Sequence, residues 1–161
     1  MNVDEYNRCV DLFSDGVYRF ALKMLKNVEQ AQDVVQDTFE KLWVKHDDVQ
    51  FGKAKSYLFT STYNGSLDSI KHQKYRFNYL QQLPSDASTD ESYSDLGEIL
   101  NRTIDLLPDI QKSVLLLRDY EGYSYDEIGE ITGLSQSQVK VYIYRARLFL
   151  KDKLVSIDAV I

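Results

Sequence analysis

With 161 residues, 43% of them hydrophobic, 27% charged and only two prolines, the chain has the composition of one ordinary or two small ordered, helix-rich domains, not of a disordered tail. A formal net charge of -6 argues against avid, unspecific binding to naked nucleic acid, because phosphate neutralisation supplies most of that affinity, so any DNA contact must be local. No stretch approaches the roughly 18 apolar residues of a membrane span, Cys9 stands alone, and His46 and His72 lack ligand-like spacing, so neither a metal nor another cofactor is expected.

The N-terminal stretch MNVDEYNRCVDLF lacks a basic start followed by an apolar run, so a cytoplasmic protein without a secretory signal is expected. From Tyr6 to Lys26, Val10, Phe13, Val17, Phe20, Ala21, Met24 and Leu25 recur at spacings of three and four, as one face of a helix requires. Asn27 reads as a stop, after which Ala31, Val34, Val35, Thr38, Phe39, Leu42 and Trp43 repeat the stripe over a second helix ending near Lys45. A third helix is expected from near Lys53 to about Lys74, with Tyr57, Leu58, Ser61, Leu67 and Ile70 inward and Gly65 a weak point.

Between about Leu83 and Asp95 the run PSDASTDESYSD has the composition of a linker. The helical pattern returns at Leu96, Pro108 suits a helix start, and Ile110, Val114, Leu115, Leu117 and Arg118 follow before Gly122. Ser124 with Glu127 and Ser135 with Gln138 are two capping boxes, which predict helices over about Tyr125–Thr132 and from Gln136 onward. Gly133 between them supplies positive φ, and with Ile128, Gly129, Leu134, Val139 and Ile143 the spacing is that of a helix-turn-helix. Strand signals are absent from the pattern.

LSQSQVKVYIYRARLFLKDKL, residues 134 to 154, carries Lys140, Arg145, Arg147, Lys151 and Lys153 against the single acid Asp152. A second helix of this kind enters the major groove. With Val139 and Ile143 inward, Gln136, Ser137, Gln138, Lys140, Val141 and Tyr144 face outward, and Arg145 and Arg147 follow as phosphate-neutralising charge. A solvated amphipathic helix is the plainer alternative. Residues 51 to 76 interleave Phe51, Tyr57, Phe59, Tyr63 and Tyr75 with Lys53, Lys55, Lys71, Lys74 and Arg76 against one acid, Asp68, a mixture suited to single-stranded DNA because bases stack while cations track the backbone. Several rings could equally be core; Tyr57 and Leu58 are expected buried, and Phe59, Tyr63, Asn64 and Lys71 DNA-facing. On the second helix Asp33, Gln36, Asp37 and Glu40 form a polar, acidic strip opposite the apolar stripe, suited either to a basic partner helix or simply to solvent.

The stretch LPDIQKSVLLLRDYEGYSYDEIGEITGLSQSQVKVYIYRAR resembles region four of bacterial sigma factors of the extracytoplasmic-function group, the part that binds the minus-thirty-five element. DVVQDTFEKLW, residues 33 to 43, is similar to the region two helix that docks on core RNA polymerase, and SYLFTSTYNGSLDSIKHQKYR, residues 56 to 76, to the segment that opens and reads the minus-ten element. The resemblance implies an all-α fold of two small helical domains joined by a flexible acidic linker: region two over 5–80, linker over 81–95, region four over 96–155. It implies a specificity subunit rather than an enzyme. Its partners would be core polymerase (the β′ clamp coiled coil and the β flap), double- and single-stranded promoter DNA, and an anti-sigma factor, with no small-molecule substrate. Implied contacts are Asp33, Gln36, Asp37 and Glu40 to polymerase. Phe59, Tyr63, Asn64, Lys71, Lys74 and Arg76 would contact minus-ten DNA, and Gln136, Ser137, Gln138, Lys140, Val141, Tyr144, Arg145 and Arg147 minus-thirty-five DNA. The chain departs from the family pattern at Tyr142, where arginine is common, at Gly129, where alanine is usual, and in KHQKYR, which is less arginine-rich. A polymerase-independent helix-turn-helix regulator binding as a dimer, and a sigma-like decoy, are the other readings.

Overall fold

The structure, a computed structural model, describes residues 1–79 and 96–158. The expected linker over 81–95 lies outside the described residues. The fold is all-α: α1 (Val3–Leu25), α2 (Val28–Val44), α3 (Ala54–Tyr79, entered through a 3-10 turn at Phe51–Lys53), α4 (Leu96–Asp105), α5 (Asp109–Leu115), α6 (Tyr125–Thr132) and α7 (Gln136–Asp158).

Asn27, read from the sequence as a stop, is a start: its side chain accepts from the Gln30 N–H and caps α2, while Lys26 in the left-handed region, φ 57°, ends α1. Helices α1 to α3 share one core, with Cys9, Val17, Phe20 and Met24 of α1 against Ala31 and Leu42 of α2 and Leu58 of α3. Helix α3 runs through Gly65 without a break. A Cβ there would lie 3.2 Å from Val34 Cγ1, so the glycine lets α2 and α3 approach. Trp43, assigned inward by its spacing, is 41% exposed at the edge of the stripe, stacked on His46 and meeting Tyr6 edge-on.

Helices α4 to α7 enclose Ile104, Val114, Leu117, Ile128, Val139 and Ile143. Beyond α5 the chain makes a π-helical turn over Leu116–Tyr120, and Gly122, φ 76°, redirects it towards α6. The Lys112 side chain is buried with its ammonium 3.2 Å from Asp105 Oδ1, and desolvation pulls its pKa below that of an ordinary lysine despite the carboxylate. Asp105→Ala leaves that charge uncompensated, and a fall in stability of about 2 kcal/mol is expected in denaturant unfolding, below the range for a fully buried pair because Asp105 is a third exposed. Adding Lys112→Met should restore most of it.

The two helical groups pack on each other. Helix α3 lies against α6, and Phe59 meets Tyr123 edge-on at 5.2 Å and Phe20 at 6.0 Å. Across the same seam Ser113 Oγ lies 3.5 Å from Met24 Sδ.

Candidate nucleic-acid interface

The helix-turn-helix is fixed from its ends. Ser124 Oγ accepts from the Glu127 N–H and the Glu127 carboxylate accepts from the Ser124 N–H, which holds that carboxyl below its usual pKa. Ser135 and Gln138 repeat the pattern at the start of α7, with hydrogen bonds of 2.9 and 3.1 Å. Gly133, φ 78°, makes the turn. Gly129 permits its closeness, since a Cβ there would stand 2.9 Å from the Leu134 carbonyl oxygen.

Val139 and Ile143 are buried, which turns Gln136, Ser137, Lys140, Val141, Tyr144 and Arg145 to solvent. Lys140 lies 5.7 Å above the Tyr125 ring. Two of the expected contact residues are engaged internally. The Gln138 carbonyl caps its own helix, and Arg147 donates from Nη2 and Nε to the two carboxylate oxygens of Asp119, a residue of the π-helical turn, at 2.6 and 3.3 Å. Tyr142, where the resemblance has arginine, is half-buried and packs on the core, so it adds no cation to the outer face.

On α3 the expected set divides. Asn64, Lys71, Lys74 and Arg76 are exposed, although Lys74 lies 3.6 Å from Asp109 of the second helical group. Phe59 and Tyr63, expected to face DNA, are 1% and 5% exposed and belong to the core. The cause is two-sided burial: α1 covers Phe59 from below and Tyr123 from above. Burial raises the Tyr63 phenol pKa, with the Asp109 carboxylate adding to it. Of the two side chains expected buried, Leu58 is fully so and Tyr57 partly.

Asp33, Gln36, Asp37 and Glu40 are all exposed and, spaced three and four apart, share one face of α2. The strip has an apolar end that the sequence pattern did not mark: Val44, 78% exposed, beside exposed Trp43. A Val or Trp at the end of an amphipathic stripe gives no sequence signal for which side it takes. No helix among the described residues is long and apolar enough to cross a membrane.

Residues 9–76 match the family model for sigma-70 region 2, and residues 97–150 the model for sigma-70 region 4. Over 157 residues the chain is 31% identical to the ECF RNA polymerase sigma factor SigE of Mycolicibacterium smegmatis, an alignment covering 92% of this chain and 61% of that protein's length. It is 28% identical over 171 residues to the ECF RNA polymerase sigma factor SigW of Bacillus subtilis, covering 94% of this chain and 89% of that one. Among solved structures, the sigma factor RpoE of Bartonella quintana in complex with the anti-sigma factor NepR is similar in fold, with a TM-score of 0.79 at 23% identity over 94% of this chain and 98% of that one. CnrH in complex with the cytosolic domain of CnrY gives 0.70 at 22% identity over 96% of this chain and 90% of that one.

Proposed function

We infer the function of this chain from its membership: it belongs to the sigma-70 family of bacterial RNA polymerase sigma factors, within the extracytoplasmic-function group, and so binds core RNA polymerase and directs promoter-specific initiation of transcription. The observation that carries this reading is the pair of family matches, region 2 followed by region 4, in one chain whose helix-turn-helix presents an outward polar and cationic face.

The division of labour is our proposal. The first domain, 5–80, docks on the β′ clamp coiled coil through Asp33, Gln36, Asp37 and Glu40, whose exposure and shared face support the assignment. Asn64, Lys71, Lys74 and Arg76 of the same domain hold the minus-ten strand. The second, 96–155, inserts α7 into the major groove at the minus-thirty-five element, with Gln136, Ser137, Lys140, Val141, Tyr144 and Arg145 at base edges and phosphates. Gln138 contributes as the cap that fixes the helix start, and Arg147 as the partner of Asp119. The β flap is the polymerase partner of this second domain. Each promoter site is modest by itself. Joined in one chain and seated on polymerase, each raises the effective concentration of the other, which suits a subunit of net charge -6 that must ignore bulk DNA when free. An anti-sigma factor completes the set of partners, a reading supported by the complex in which the Bartonella relative was solved.

Lys140→Ala tests the groove assignment. Lys140 is exposed and not part of the hydrophobic core, so the fold is expected to persist while promoter-specific initiation in run-off transcription falls about tenfold, the loss of one good base contact. Polymerase binding should be unchanged. A variant that loses polymerase binding instead overturns the assignment of α7.

A further inference from the structure

The second domain holds an acid against the helix that carries its basic face. Arg147 donates from Nε and Nη2 to the two carboxylate oxygens of Asp119, and the pair leaves Nη1 outside it. Neither side chain is buried, Arg147 being 48% exposed and Asp119 37%. Gln136, Lys140, Arg147 and Lys151, all exposed and at spacings of four, seven and four, share one ridge of α7. Arg147 stands about two turns beyond Lys140, roughly 10 Å along the axis. That is past the first turns, which meet base edges, and at the flank where backbone phosphates run.

The acid is itself held still. Asp119 belongs to the π-helical turn Leu116–Tyr120, which is closed by backbone hydrogen bonds from the Glu121 N–H to the Leu116 carbonyl and from the Tyr123 N–H to the Leu117 carbonyl, at 3.1 and 3.0 Å. Arg118 ties the turn to the start of α6: it donates from Nη1 to the Tyr123 carbonyl at 2.9 Å, with its guanidinium 4.7 Å from the centre of the Tyr125 ring. The same ring lies beneath Lys140, so one segment supports two cations of one ridge. On charge alone an acid here repels the phosphates that the ridge faces and weakens DNA binding. As a support for Arg147 it acts the other way. A guanidinium already fixed by a carboxylate has less rotamer freedom to lose on docking and keeps its remaining N–H groups in a set plane. The two effects have opposite signs, so the affinity of a variant decides between them.

We propose that Asp119 is a positioning residue for minus-thirty-five binding: it holds the Arg147 guanidinium from one edge so that Nη1 donates to a backbone phosphate flanking the base-reading turns of α7. The inference rests on the function proposed above, since it takes α7 as the helix in the groove. Arg147 keeps both partners at once, the carboxylate through Nε and Nη2 and the phosphate through Nη1. Asp119 therefore contributes to DNA affinity although it carries the same sign of charge as DNA.

The test uses holoenzyme assembled from core polymerase and the full chain, binding a labelled duplex promoter that the wild-type holoenzyme transcribes, over a range of potassium chloride concentrations. Asp119→Ala, Arg147→Ala and the double variant are compared with Asp152→Ala, which makes the same change of charge as Asp119→Ala at an exposed position of α7 outside the pair. Asp119→Ala and Arg147→Ala are each expected to weaken binding at least about threefold and to flatten the slope of log K against log salt by about 0.9, the value of one phosphate contact. The double variant should bind no more weakly than Arg147→Ala, and Asp152→Ala as tightly as wild type or more so. Denaturant midpoints should hold, because an exposed pair contributes little to folding. The proposal is overturned if Asp119→Ala binds as tightly as wild type or tighter, which makes the acid a competitor of phosphate. It is overturned equally if either single variant weakens binding at the wild-type slope, which makes the pair a structural one, or if the double variant loses more than Arg147→Ala. Run-off transcription measured alongside separates the two readings: a wild-type chain that starts no transcript fails as a sigma factor and takes this inference with it, whereas a transcribing wild type with unchanged variants refutes the positioning role alone.

Discussion

Gly129→Val is expected to lower the stability of the second domain by about 3 kcal/mol and to abolish most promoter-specific initiation, while leaving intact the polymerase binding proposed for the first domain. The reason is a single distance. The first side-chain carbon at 129 would stand 2.9 Å from the Leu134 carbonyl oxygen, a backbone atom in the turn between α6 and α7, and such an atom moves only if the turn moves. Opening the turn shifts α7 relative to α6 and withdraws support from Ile128, Val139 and Ile143, which are buried against one another. Gly129→Ala separates two effects. Replacing a glycine in a helix contributes up to about 1 kcal/mol of propensity, which offsets part of the strain, so a net loss of about 1 kcal/mol is expected. Denaturant midpoints give the stabilities. Co-purification with polymerase checks that the first domain is untouched. Midpoints that do not change in either variant would mean that the close approach is not a constraint.

The second large effect is expected from charge reversal on α2. Asp33→Lys combined with Asp37→Lys should weaken core polymerase binding at least about tenfold, roughly 1.4 kcal/mol, with no loss of stability. Both carboxylates are exposed and neither is engaged in an ion pair among the described residues, so removing them disrupts nothing inside the chain. If this face docks on a basic helix as proposed, reversal places two cations against it, where the neutral pair Gln36→Ala with Asp37→Ala only removes attraction and should cost less. Equilibrium binding of labelled core polymerase distinguishes the two. Equal affinity for wild type and the reversed variant removes this face from the docking site.

Much of the second domain is legible from short-range chemistry. The two capping boxes and Gly133 mark the limits of α6 and the start of α7 where the structure has them, because a cap is a contact between residues three apart and needs no tertiary context. Asn27 shows how such a signal is misread: asparagine both stops and starts helices, and the local pattern alone does not tell which. Periodicity gave the inward face of α1 and α2 but misplaced Trp43 and the rings of α3. A helix covered on two sides carries apolar residues all round, so Phe59 and Tyr63 fall off the stripe yet are buried once the second domain packs on them. That packing joins residues up to 102 apart, as in Arg19 and Glu121, and no spacing rule reaches so far. The π-helical turn is equally invisible, and with it the commitment of Arg147 to Asp119. Resemblance supplied what pattern lacked, the function, and its departures proved informative: Gly129 marks the tight turn, and Tyr142 turns into the core.

The most direct test of the sigma assignment is native co-purification with core RNA polymerase followed by run-off transcription from a library of genomic fragments, with and without the protein. The expected result is a retained complex and new transcripts whose upstream sequences share two spaced elements. Retarded DNA without polymerase and no new transcript would contradict it and indicate a helix-turn-helix regulator; a polymerase complex that stays silent on every fragment would contradict it equally, in favour of a sigma-like decoy.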